Sequence, residues 1–336
     1  MAVILFPPII DWSFMKQRPH QLMFHLAQAG HHVYFCNKSI SVRENEQIAE
    51  RLFVVHNHSQ WLQDIWPSIR QGASGGTLIW CSLPQLAESL KRYQADYIVY
   101  DCVDEFAELA PYEPQMVETA DWIICTSERL YSRLRRQNPK RPLALVRNGY
   151  DSGMGLHLMD EQSSTEADRI AFAGDSHVGY IGAWAPWTDA NLLRRLARRL
   201  PVDTRLVIIG PEFGRKYGQE TDMQFLGHKP HHELPMHIRQ MAVLLIPFLP
   251  SPTTLATNPV KAYEYLASGK PVVSTALPEC MRMQPHVDVC RSADEFIDTV
   301  LLRLQDPGDA AARIRYALEH TWEARVREIQ AFIPLL

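Results

Sequence analysis

Short apolar runs alternate with amphipathic stretches along the whole 336-residue chain, the rhythm of strand–helix–strand units in a parallel sheet. In the first half, runs at 2–6, 33–36, 52–55, 77–81, 97–100, 122–126 and 143–146 predict strands. Stretches at 15–29, 84–93, 112–120 and 127–137 predict helices, the first closed by Gly30. The rhythm stops between Asn148 and Asp168, where NGYDSGMGLHLMDEQSSTEAD reads as an exposed crossing segment. It resumes with strands near 178–183, 205–209, 223–226, 243–247, 272–275 and 287–290, and helices near 188–200, 231–241, 259–268 and 293–305. A last amphipathic stretch, 308–333, follows the final strand signal.

This pattern predicts an α/β chain of two Rossmann-like, doubly wound parallel-sheet domains, 1–150 and 169–307. A linker at 151–168 joins them, and a C-terminal helical segment, 308–336, can fold back over the joint. Two such halves invite a ligand into the cleft between them, at the carboxyl ends of the strands.

A net charge of −4 argues against a nucleic-acid binder, so an anionic ligand must be held by local groups. The six cysteines form no C-x-x-C pair and no Cys/His spacing that suits zinc, and they read as reduced thiols of a cytoplasmic protein. The opening MAVILFPPII lacks a cationic leader and a cleavage site, and Pro7, Pro8 and Asp11 end it too soon to span a bilayer. It reads as a first strand.

Chemistry concentrates in NPVKAYEYLASGKPVVS, residues 258–274. Asn258 is placed to cap a helix starting at Pro259, and Gly269 to end it in a left-handed conformation. The N–H groups and positive dipole end of such a helix attract an anion, and Lys261 in its first turn adds a full charge. Glu264, one turn on, presents two oxygens suited to a vicinal diol such as ribose. On spacing alone the two residues also fit an i, i+3 ion pair on a solvated face.

The segment N-P-x-K-x-Y-E-Y-L-A-S-G-K-P-V-V resembles the donor-nucleotide segment of GT-B glycosyltransferases, particularly family 4 members of bacterial surface polysaccharide synthesis. Further stretches carry the same resemblance: DWSFMKQRPHQLMFHLAQAGHHVYF, VYDCVDEF, ADWIICTS, NGYD, YIGAWAPWTDANLL, VIIGP, FLGHKPHHELP and HTWEARV. It implies a GT-B fold and a retaining, metal-independent transfer of a sugar from a nucleotide diphosphate, with UDP expected, to a glycan or lipid-linked acceptor. Glu264 matches the family's second motif glutamate. The first, eight residues earlier, is here Ala256, which puts its contacts to the donor sugar in question.

The candidate donor-binding set is Gly182, Trp184, Gly210, Gly227, Lys229, Asn258, Lys261, Tyr263 and Glu264. Gly182 follows a strand and allows close backbone approach to a ligand, and a tight turn with a packed Trp184 is the equal alternative. The resemblance implies that the loop Gly227–Pro230 passes beside the nucleobase, and His228, His231 and His232 lack metal-ligand spacing and read as solvated or capping histidines.

The candidate catalytic set is Arg18, Asp101 and Asp104. From the sequence alone Arg18 reads as an exposed arginine; the resemblance implies instead that it faces the cleft and a phosphate. Asp101 and Asp104, at the end of a strand, can orient or deprotonate an acceptor hydroxyl, or can cap the next helix. No D-x-D pair is present, so no metal and no cofactor are expected beyond the nucleotide-sugar co-substrate. The cationic clusters Arg194, Arg195, Arg198, Arg199 and Arg133, Arg135, Arg136, Lys140, Arg141 read as solvated helix faces. The second is the candidate for peripheral contact with an anionic membrane at its inner face. A UDP-sugar 2-epimerase of the same fold and a non-catalytic nucleotide or sugar binder are the competing expectations.

Overall fold

The computed structural model describes residues 1–158, 176–217 and 222–336. Its contacts form two compact units, Met1–Asn148 with Trp322–Leu336, and Gly149–Thr321. Of the expected linker, 159–168 lies outside the described residues.

The first unit is built on strands β1 (Val3–Phe6), β2 (His32–Cys36), β3 (Glu46–Ala49), β4 (Leu52–Val55), β5 (Thr77–Cys81), β6 (Tyr97–Cys102), β7 (Trp122–Cys125) and β8 (Leu143–Leu145). Their order is β3-β4-β2-β1-β5-β6-β7-β8, parallel throughout except β3. The apolar runs VILF and TLIWC are wholly buried, as strands with covered faces require. The added β3, EQIA, pairs antiparallel with β4 at the sheet edge, where exposed Glu46 and Gln47 discourage further pairing.

Helix Arg18–Gln28 starts three residues later than expected, with proline in its first turn and the His20 ring accepting the Gln17 N–H at 3.1 Å. Two short helices absent from the sequence reading, His58–Asp64 and Trp66–Gly72, are anchored by Trp61 and Trp66, each almost fully buried. The expected helix at 84–93 is two 3-10 segments, Pro84–Leu86 and Glu88–Tyr93.

The second unit contains β9 (Ser176–Ile181), β10 (Thr204–Ile209), β11 (Met223–Phe225), β12 (Met241–Ile246), β13 (Val272–Thr275) and β14 (Asp288–Cys290). All pairs are parallel, in the order β11-β10-β9-β12-β13-β14. The direction of winding reverses between β9 and β12, as it does between β1 and β5 in the first unit. At such reversals adjacent loops part at the carboxyl ends of the strands, which is where α/β sheets receive ligands.

The last amphipathic stretch divides. Helix Ala310–Glu319 packs on Val260–Ala267 in the second unit, and Trp322–Phe332 packs on Arg18–Gln28 in the first. Buried Trp322 and Ile329 explain the second attachment. Among the described residues no helix is long and apolar enough to cross a membrane.

Candidate active site

In the second unit the winding reversal is occupied by Lys261. Its ammonium lies 4.4 Å from the Tyr180 ring centroid, at the end of β9, and 5.0 Å from that of Phe248, just past β12. Helix Val260–Ala267 delivers it there. Tyr265 of the same helix bonds both backbone groups of Ile181, accepting its N–H at 2.8 Å and donating to its carbonyl at 3.1 Å. Gly269, at φ 72°, ends the helix as the sequence predicts.

Burial of the amine lowers the Lys261 pKa from 10.5 to about 7, with the Glu264 charge and then Cys280 opposing the shift. The side chain as a whole is only partly buried, so it is the ammonium end that is sunk between the rings. Glu264, half-buried one turn along, acts electrostatically on both Lys261 and Tyr150. The Tyr150 hydroxyl is pushed up to about 12, chiefly by burial.

Two glycines make room. A Cβ on Gly182 would lie 2.1 Å from the Lys261 ammonium, and one on Gly210 would lie 1.9 Å from the Gly182 carbonyl oxygen. Both have positive φ, 153° and 150°. Gly210 donates to the Gly227 carbonyl at 2.9 Å, which ties the loop after β10 to the loop after β11. Gly227 has φ 69° and open space where a side chain would be, and Lys229 is half-buried beside it.

Trp184, Tyr263 and Asn258 are packed inward. Trp184 is 1% exposed, donates to the Lys216 carbonyl at 3.0 Å and packs edge-on against Phe225, so the turn reading describes its position. Asn258 does not cap helix Val260–Ala267. The cap position is Pro259, with no side-chain bond, and the buried Asn258 amide bonds Tyr263 and Glu279. Ala256 is buried at the end of the short helix Pro252–Ala256.

In the first unit Arg18 is neither exposed nor turned to a free phosphate site. Its Nε and Nη2 grip Asp101 at 2.9–3.0 Å, and Nη1 bonds the Asn148 side chain at 3.1 Å. Trp80 Nε1 adds a bond to Asp101 at 3.2 Å. Four donor contacts fill the acceptor positions of a carboxylate that has no solvent exposure. Asp101 and Arg18 thus satisfy each other, and Asp104 is the carboxyl left with unsettled protonation. Burial raises its pKa to about 6, Arg18 works against this, and the charge of Asp101 adds to it.

Three members of the second cationic cluster are engaged within the protein: Arg133 bonds Glu113 and pairs with Glu105, Arg135 donates to the Leu143 carbonyl at 2.8 Å, and Arg141 to that of Glu118 at 3.0 Å, while Arg136 and Lys140 are exposed. Sequence reasoning missed Tyr180, Phe248 and Tyr265, which seat Lys261, and Trp80, which seats Asp101. Tyr265 lies within the segment 258–274. The others are aromatic residues in or after strands, with no local signal of a polar role.

Residues 175–320 match the family described as Glycosyl transferases group 1. The chain is 25% identical over 276 residues to the Bacillus subtilis protein named "Putative teichuronic acid biosynthesis glycosyltransferase TuaH", covering 74% of this chain and 68% of that one. Among solved structures it is similar to sucrose-phosphate synthase from Thermosynechococcus elongatus, with TM-score 0.75, 15% identity, and coverage of 98% of this chain and 97% of that one. It is also similar to Anabaena HepE in complex with UDP and glucose, with TM-score 0.68, 13% identity, and coverage of 98% and 99%. With two parallel-sheet units of this winding and residues 175–320 matching the glycosyl transferases group 1 model, the chain is a glycosyltransferase of GT-B fold.

Proposed function

We propose that this enzyme transfers a sugar from a UDP-sugar to a glycan or lipid-linked acceptor in surface polysaccharide assembly, with retention of anomeric configuration and without a metal. The observation that carries the reading is Lys261, held at the winding reversal of the second sheet with Gly182 leaving room beside its ammonium. A diphosphate there gains the ammonium and the start of helix Val260–Ala267, and Glu264 takes the ribose diol. The Gly227–Pro230 loop flanks the base. As the sugar leaves, charge growing on the diphosphate is met by Lys261 without rearrangement.

Asp104 is the carboxylate of the first unit that orients the acceptor hydroxyl and takes its proton, while Asp101 and Arg18 are positioning residues that fix the end of β6. The polysaccharide context is supported by the TuaH relative, and UDP by the HepE structure, whose complex contains UDP and glucose. The cytoplasmic setting is supported by six free thiols, and the place at the inner face of the membrane belongs to the lipid-linked acceptor of the reading.

The test is release of nucleoside diphosphate from UDP-, GDP- and dTDP-sugars over a membrane-extract acceptor, with and without EDTA, and the anomeric coupling constant of the product by NMR. UDP-sugar turnover insensitive to EDTA with an unchanged anomer is expected. Turnover that EDTA abolishes, or an inverted product, overturns the corresponding part of the reading.

A further inference from the structure

We infer that Glu279 is a positioning residue for the donor helix, acting through Asn258 and Tyr263, an inference that rests on reading Val260–Ala267 as that helix. Glu279 is the second residue of the short helix Pro278–Met281 after β13 and is 1% exposed, beside fully buried Cys280. A carboxylate taken that far from water costs several kcal/mol unless it is hydrogen-bonded. Its Oε2 accepts from Asn258 Nδ2 at 3.1 Å. The same Nδ2 lies 3.2 Å from the Tyr263 hydroxyl, which in turn donates to Asn258 Oδ1 at 3.3 Å.

Three segments meet in this cluster: the turn between helices Pro252–Ala256 and Val260–Ala267, the donor helix itself, and the loop leaving β13. The donor helix has no side-chain N-cap. The direction in which its first turn points is therefore set by the Asn258 amide, which Glu279 and Tyr263 hold from two sides. Lys261 is in that first turn, and its charge reaches the thiol of Cys280, the residue after Glu279. An apolar residue of the same volume would fill the space at lower desolvation cost, so the polar cluster contributes orientation more than stability.

The experiment titrates full-length wild type, Glu279→Ala, Glu279→Gln and Tyr263→Phe with UDP, GDP and ADP by calorimetry, with circular dichroism and Tm on the same samples. Glu279→Ala is expected to raise Kd for the nucleotide that wild type binds by about tenfold. Tyr263→Phe raises it in the same direction by less. Glu279→Gln, which keeps an oxygen for Asn258, returns to within about threefold of wild type. Where Glu279→Ala does not fold, the Tyr263→Phe increase beside near-normal Glu279→Gln binding supports the inference in its place. Folded variants with wild-type Kd and only a lowered Tm would overturn the inference, because the cluster then merely packs. A wild type that binds none of the three nucleotides would instead fail the donor reading, and the inference with it.

Discussion

Nucleotide binding at Lys261 should be linked to proton uptake. With the site empty the amine titrates near pH 7, and a bound diphosphate, by placing negative charge against it, moves the value back toward the ordinary lysine range. Above pH 7 the diphosphate is already ionised, so the pH dependence belongs to the protein. Each binding event then carries a proton onto Lys261, and Kd rises up to about tenfold per pH unit until the bound-state pKa is reached. For a group titrating at about 7, going from pH 7 to pH 9 weakens binding roughly fifty-fold. Calorimetry in two buffers of different ionisation enthalpy should give an uptake of about half a proton at pH 7, approaching one at pH 8.5. Lys261→Arg, whose guanidinium does not titrate in this range, should bind with a flat profile whatever its affinity at pH 7. A wild-type Kd constant from pH 7 to 9 with no proton uptake would mean that the diphosphate does not sit against this amine.

Asp104→Asn should abolish transfer yet stabilise the fold. The raised folded pKa makes ionisation unfavourable, so the stability this carboxyl contributes is present below the unfolded pKa of about 4 and is lost as pH rises through about 6. Removing the charge should add on the order of 1–2 kcal/mol at pH 7.5 by urea unfolding, after allowance for its partial exposure, and no gain would refute the assignment. Arg18→Ala strands the buried Asp101 carboxylate and should cost about 3–5 kcal/mol in the same assay, whereas an effect under about 1 kcal/mol would show the pair to be dispensable. Both Gly182→Ala and Gly210→Ala force a side chain into positive φ; the first meets the Lys261 amine and the Tyr180 hydroxyl and should displace Lys261 and impair nucleotide binding, while the second meets backbone and should lower Tm more, so a larger Tm loss for Gly182→Ala would contradict the described packing.

Most parallel strands were legible because they centre on apolar runs between turn residues, such as VILF, TLIWC and MAVLLI, and the two sheets follow from them. Edge strand β3 was not, since Glu46 and Gln47 carry polar side chains that edge exposure favours. Helices His58–Asp64 and Trp66–Gly72 are too short for a period to register and depend on two tryptophans for burial. The break at His320–Thr321 was hidden because both flanking helices are amphipathic, and only the partners they meet tell them apart.

That Lys261 and Glu264 share a helix face was legible, because periodicity alone places them one turn apart on helix Val260–Ala267. Arg18 and Asp101 lie 83 residues apart, and nothing local tells that each will satisfy the other. Asn258 looked like a cap because the sequence places it just before a helix. Its bond to Glu279, 21 residues away, turns it inward.

Donor recognition by the Lys261–Glu264 face is checked most simply by a thermal-shift panel with UDP, GDP, dTDP and ADP on wild type and Glu264→Ala. UDP is expected to raise the wild-type midpoint, while Glu264→Ala keeps the same unliganded midpoint and loses the UDP shift. No shift of wild type with any diphosphate, or an undiminished UDP shift in Glu264→Ala, would contradict the assignment of this helix to the donor nucleotide.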